Sequence, residues 1–150
     1  MYFCIMTCVL TKGDNYLKIL IASASLLIGG LIYVIYRTEN LLMFSWFSNL
    51  GLSENIFFLR KSFGGYALCP WGKYNMPAAL WLFAYLYIID AIWSNFQLTK
   101  LYKIFFWFMP ILSILSEIFQ LFHLLPGTFD ILDMATYIMA IIIYLLINKH

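Results

Sequence analysis

Glu117, Gln120, His123, Asp130 and Asp133 are the side chains of this 150-residue chain whose types and spacing suit chemistry, with Asp90 standing apart upstream. On one helix, Ser113, Ser116, Glu117, Gln120 and His123 fall within about 120° of arc. On the next, Asp133, Thr136, Tyr137, Ala140 and Tyr144 fall within about 100°. The turn between them, Pro126-Gly127-Thr128, is short, and short turns make antiparallel neighbours. The two polar stripes then face each other with Asp130 at the mouth, and two or three carboxylates converge. Such a cluster suits four kinds of work. A protonated carboxyl beside an ionised one can do acid–base chemistry, because like charges push their proton affinities apart. Carboxylates with Gln and His can hold a divalent metal. The group can bind the polar head of a lipid. It can also simply join helices by hydrogen bonds, each worth about 0.6–2 kcal/mol in a membrane.

The elements that must position these residues are apolar and long. A spanning helix needs about 20 mainly apolar residues. Four runs qualify: residues 17–36, 76–93, 104–125 and 131–147. Asn75 is expected to cap the second run, and Pro77 suits a first helical turn. Thr11 to Asn15 reads as a polar turn before the first run. Asp90 sits near the end of the second, within reach of Lys100 or Lys103. The connection 37–75 is too apolar for a solvated loop. Within it, Leu42, Met43, Trp46, Phe47 and Leu50 share one helical face and Ser45, Ser48 and Asn49 the other. That pattern suits a short helix lying in the headgroup region. Gly64, Gly65, Pro70 and Gly72 then break the chain into turns.

Composition narrows the function classes. Hydrophobic residues make up 64% of the chain and charged residues 11%, against the roughly 25% charged of a soluble domain. With a mean hydropathy of +0.87, no polar skin is available for an ordinary soluble enzyme. A net charge of +2 excludes the basic face that nucleic-acid binding requires. Cys4, Cys8 and Cys69 are odd in number, so neither a structural zinc nor a disulfide framework is expected. There is no G-x-S-x-G, H-E-x-x-H, P-loop or G-x-G-x-x-G. Trp46, Trp71, Trp81, Trp93 and Tyr102 lie where interfacial belts belong. With four spans both chain ends share one side. Lys12, Lys18, Lys100, Lys103 and Lys149 lie there in short segments, against Arg37, Arg60, Lys61 and Lys73 in the long connection. The positive-inside rule then places the termini in the cytoplasm and the polar cluster outward.

Ser116-Glu117-x-x-Gln120, followed by Pro126-Gly127-x-x-Asp130-x-x-Asp133, resembles the signature of VanZ-like membrane proteins. The likeness covers residues 113–144. It departs from the family pattern at Tyr137 and Ala140, where Asn and Gly are usual, and at Thr128, near the place of a basic residue. An Asp-Lys-x-x-His pattern is not seen around residues 77–85. The resemblance implies a small multi-pass protein of the bacterial cell (inner) membrane, linked to envelope or antibiotic response, with Glu117, Gln120, Asp130 and Asp133 as a shared site.

The expected fold is an all-α integral membrane protein forming a single membrane domain. It is a four-helix transmembrane bundle with an amphipathic interfacial segment between helices 1 and 2. The leading function is non-enzymatic binding of a lipid or glycolipid head group by Ser116, Glu117, Gln120, Asp130, Asp133 and Tyr137, without metal or cofactor. Membrane lipids are the expected partners, and nucleic acid is not. Two alternatives stay open: a lipid-modifying enzyme with Glu117 and Asp133 as acid and base, and a small accessory subunit partnered by a larger membrane complex.

Overall fold

A spanning backbone must satisfy its own N–H and C=O groups, which favours helices throughout. The computed structural model describes residues 2–93 and 99–148, with side chains for 14–93 and 100–148. Cys4, Cys8, Lys12 and Lys149, weighed above, lie outside those described side chains. Among the described residues there are seven helices and no strand: α1 Tyr2–Tyr36, α2 Leu42–Asn49, α3 Ser53–Phe63, α4 Pro70–Tyr74, α5 Met76–Trp93, α6 Thr99–Leu121 and α7 Ile131–Ile147. Within α1, α5 and α6, residues 14–36, 76–93 and 100–121 are long and apolar enough to cross a membrane. α7 is equally apolar but has 17 residues, about 25 Å at 1.5 Å per residue.

α5 is the central element. It packs against α1, α4, α6 and α7. Leu82, Ala84, Leu86, Tyr87 and Ala91 of α5 are buried with Ala22 of α1, Phe106 of α6, and Ala140, Ile141 and Tyr144 of α7. Tyr87 and Tyr144 meet edge to face with centroids 5.0 Å apart, and Phe106 lies 5.4 Å from Tyr144. Such aromatic pairs add about 0.5–1.5 kcal/mol each beyond their area. The polar stripe of α7 is thus its bundle-facing side, with Thr136, Ala140 and Tyr144 all buried.

Several sequence expectations are corrected. Residues 11–15 are not a turn; α1 runs through them, because one glycine costs a growing helix only about 1 kcal/mol while the hydrogen-bond ladder continues on both sides. α6 stops four residues early. The Leu124 amide donates to the Phe119 carbonyl at 2.8 Å and the His123 amide to Gln120 at 3.0 Å, with His123 at φ 57°. This is a Schellman C-cap with histidine in the left-handed position that glycine usually takes. His123 therefore leaves the polar stripe of its helix, and the link from α6 to α7 is longer than a three-residue turn.

The connection between α1 and α5 is three short helices. The amphipathic stretch forms α2 as expected. α3 was not anticipated; it has Glu54 in its first turn and Arg60 and Lys61 in its last, an order that suits the helix dipole. Arg60 Nη1 donates to the carbonyls of Val34 and Arg37, 2.9 Å each, and so caps the end of α1. Its Nε lies 3.4 Å from Glu39. The Tyr36 hydroxyl reaches back to the carbonyls of Phe63 and Tyr66. These bonds fasten α3 to the end of α1.

Gly29 sets the approach of α1 to α5. A Cβ there would lie 3.0 Å from the Trp81 ring and 3.2 Å from the Pro77 carbonyl oxygen. Trp81 is thus a packing surface for α1, where it also meets Tyr33, as well as a belt residue. Gly29→Val should destabilise the folded protein by about 1–3 kcal/mol through overpacking against backbone. Gly30, with open space at its Cβ, should tolerate alanine. Thermal unfolding in detergent compares the two.

Candidate functional site

Two polar clusters lie at opposite ends of the bundle. The first is at the end that carries α2, α3 and α4, the loop end. Asp130 caps α7: its Oδ1 accepts the Leu132 amide at 2.8 Å. Asp133 follows one turn later. The side chain of Asn75, at the junction of α4 and α5, is 2% exposed. Its Nδ2 donates to Asp133 Oδ1 at 2.7 Å and to Asp130 Oδ2 at 3.3 Å. Glu117, 4% exposed on α6, accepts the Asp130 amide at 3.3 Å. Four elements thus meet: α4 and α5 through Asn75, α6 through Glu117, and α7 through the two aspartates.

The expected site residues are mostly gathered here. Glu117, Asp130 and Asp133 converge. Tyr137 is half-buried one turn below Asp133, and the charges of Asp133 and Glu117 both reach its hydroxyl. Gln120 packs on Gly127, where φ is 134° and a Cβ would come within 2.9 Å of the Gln120 amide carbon. Gly127 is required by its backbone angle. Ser116 turns back on its own helix and donates to the Ser113 carbonyl at 2.7 Å. His123 is exposed beyond the helix end. Among the described residues no group of three or more His, Cys, Asp or Glu side chains is placed to hold a metal ion.

Sequence reasoning missed three members. Asn75 was expected to cap α5; instead it ends α4 in a helical conformation and spends its amide on the aspartates. Arg37, at the end of α1, lies between the rings of Tyr33 and Tyr74, 5.3 Å from each centroid. Its Nη2 donates to the Tyr74 carbonyl at 3.2 Å, its Nε is buried without a hydrogen-bond partner, and its charge reaches Asp133. Lys73 sits over the Tyr36 ring at 5.2 Å. Charged and aromatic side chains in an apolar connection were the available signal, but the connection alone does not say which helix end they meet.

Directly below this cluster an apolar groove of about 240 Å³ runs between α5 and α7. Trp71 of α4 closes its top, and Thr136, Ala79, Phe83 and Met139 are among its walls. Thr136 lines the groove one helical turn after Asp133, so the groove begins within a turn of the polar cluster.

The second cluster lies at the opposite end. Asp90 pairs with Lys18 of α1, not with Lys100 or Lys103: Nζ and Oδ2 are 2.8 Å apart with both side chains largely buried. The helix turn of α1 brings Lys18 to the α5 face, which spacing along the chain does not reveal. Tyr102 and Tyr144 lie beside Asp90, within reach of its charge. Tyr102 is therefore more than a belt residue. Asn148 donates to the Tyr87 hydroxyl at 3.2 Å beside them.

No model of a known protein family matches this chain, nor does any curated protein or any solved structure.

Removing one partner of a largely buried pair leaves the other charge uncompensated. Lys18→Met should therefore cost about 2–4 kcal/mol. The double variant with Asp90→Asn should recover more than half of that loss. Unfolding in detergent tests it, and equal losses in single and double variants would show that Lys18 acts by packing alone.

Proposed function

We propose that this is a VanZ-like protein of the bacterial inner membrane that binds the head group of a lipid or glycolipid at the loop-end cluster and modulates envelope or antibiotic response. α7 completes a four-helix transmembrane bundle. Its 17 residues are short for a hydrocarbon core of about 30 Å, and a polar first turn at the headgroup level makes up the difference. The chain ends are cytoplasmic, and the loop end faces outward with α2 lying in the headgroup layer. Ser116, Glu117, Gln120, Asp130, Asp133 and Tyr137 form the site, joined by Asn75, Arg37 and Lys73.

One observation carries this reading: the apolar groove begins within a turn of the polar cluster. A cluster of carboxylates one helical turn from an apolar groove of about 240 Å³ has the polarity of an amphiphile. Intramembrane carboxylates that serve only to join helices do not require an open groove beneath them.

Mass spectrometry of material co-purifying in mild detergent tests it. A lipid or glycolipid retained by the wild type should be lost at least tenfold in Glu117→Gln and in Asp133→Asn at matched folded yield. Equal retention in both variants would remove the cluster from the binding site.

The side on which the site lies is tested separately. Cys69 is free and exposed just before α4. In intact cells a membrane-impermeant thiol reagent should label it, and labelling only after permeabilisation would invert the topology.

A further inference from the structure

The loop-end cluster holds charges of both signs that are not paired with each other. Among the described residues the ion pairs within 4 Å are Lys18–Asp90 and Arg60–Glu39. Arg37 and Lys73 are on one side of Asn75, against rings, and Asp130 and Asp133 are on the other, against its amide. Arg37 also keeps a buried Nε donor with no acceptor.

Resting on the head-group reading above, we propose that the ligand is a zwitterionic phospholipid with a primary amine, of the phosphatidylethanolamine type. Its phosphate lies at Arg37 and Lys73, its ammonium at Asp130 and Asp133, and one acyl chain in the groove between α5 and α7. The chemistry selects among head groups. A phosphate offers acceptors to the Arg37 guanidinium and to the Lys73 ammonium. A primary ammonium has three N–H donors for the two carboxylates, whereas a quaternary ammonium has none. A head group without an ammonium would place its phosphate at the same cations but leave Asp130 and Asp133 with no positive group to meet them. α4 is what sets the two halves side by side. In one short helix and the residue after it, Trp71 closes the groove, Lys73 faces the Tyr36 ring, Tyr74 holds Arg37, and Asn75 holds the aspartates.

The test is native mass spectrometry and titration of the full-length protein in detergent micelles doped with phosphatidylethanolamine, phosphatidylcholine or phosphatidylglycerol, with soluble phosphoethanolamine as a fourth arm. Phosphatidylethanolamine should bind at least tenfold more tightly than the other three. Asp130→Asn, which keeps the cap of α7 because asparagine caps equally well, should erase most of the preference over phosphatidylcholine. Lys73→Gln should weaken both phosphatidylethanolamine and phosphatidylcholine about equally. Ala79→Phe, filling the groove, should weaken all lipids and leave soluble phosphoethanolamine unaffected. Equal binding of phosphatidylcholine, or tightest binding of phosphatidylglycerol, would overturn the amine assignment while the head-group reading stood. Soluble phosphoethanolamine binding as tightly as the lipid would overturn the acyl-chain assignment. No lipid bound above detergent background would overturn both this proposal and the head-group reading.

Discussion

The loop end of the bundle depends on the side-chain amide of Asn75. Two aspartates one turn apart at the start of α7 repel each other, and Glu117 adds a third carboxyl from α6. The Asn75 amide supplies two N–H donors at that place, one to each aspartate. It is buried, so its own desolvation is offset only if both bonds are made. The same residue is the C-cap of α4 and stands immediately before α5. A single amide therefore fixes where α7 begins relative to the central helix and where the connection from α1 must land.

That fixed point organises the charged residues around it. α4 follows from the turn chemistry of Pro70 and Gly72, and its position brings Lys73 and Tyr74 onto the end of α1. Arg60 meanwhile caps α1 through two carbonyls. The end of α1, which would otherwise present free carbonyl groups, is closed by cations and aromatic rings. The opposite end uses a different device. There Lys18 and Asp90 form a direct pair beside Tyr102 and Tyr144 and tie α1 to α5. At the opposite end Lys18 and Asp90 neutralise each other directly, whereas at the loop end Arg37 and Lys73 stand apart from Asp130 and Asp133 near an apolar groove. That asymmetry is why binding is assigned to the loop end.

The carboxylate half of the candidate site was legible in the residues. Helical periodicity put Glu117 on the stripe of α6 and Asp133, Thr136 and Tyr137 on that of α7, and the structure faces those stripes inward. The cation half was not. Arg37 and Lys73 lie 57 or more residues before Asp130 in an apolar connection, and no local period links them to α7. His123 was misplaced for a local reason: a histidine at positive φ gives no warning in the sequence that a helix is about to end.

Composition and the long apolar runs alone determined that this is a helical membrane protein, because a chain with so few charges has no soluble surface and hydrocarbon permits no unpaired backbone. They also determined which faces of the last two helices are polar, since that follows from a period of 3.6 residues. The tertiary structure decided what no period carries. It chose Lys18 as the partner of Asp90, placed Asn75 between two aspartates, and opened a groove beneath them. Each of these depends on where separate helices meet, and that is set by contacts between residues far apart in the chain, such as Gly29 against Trp81.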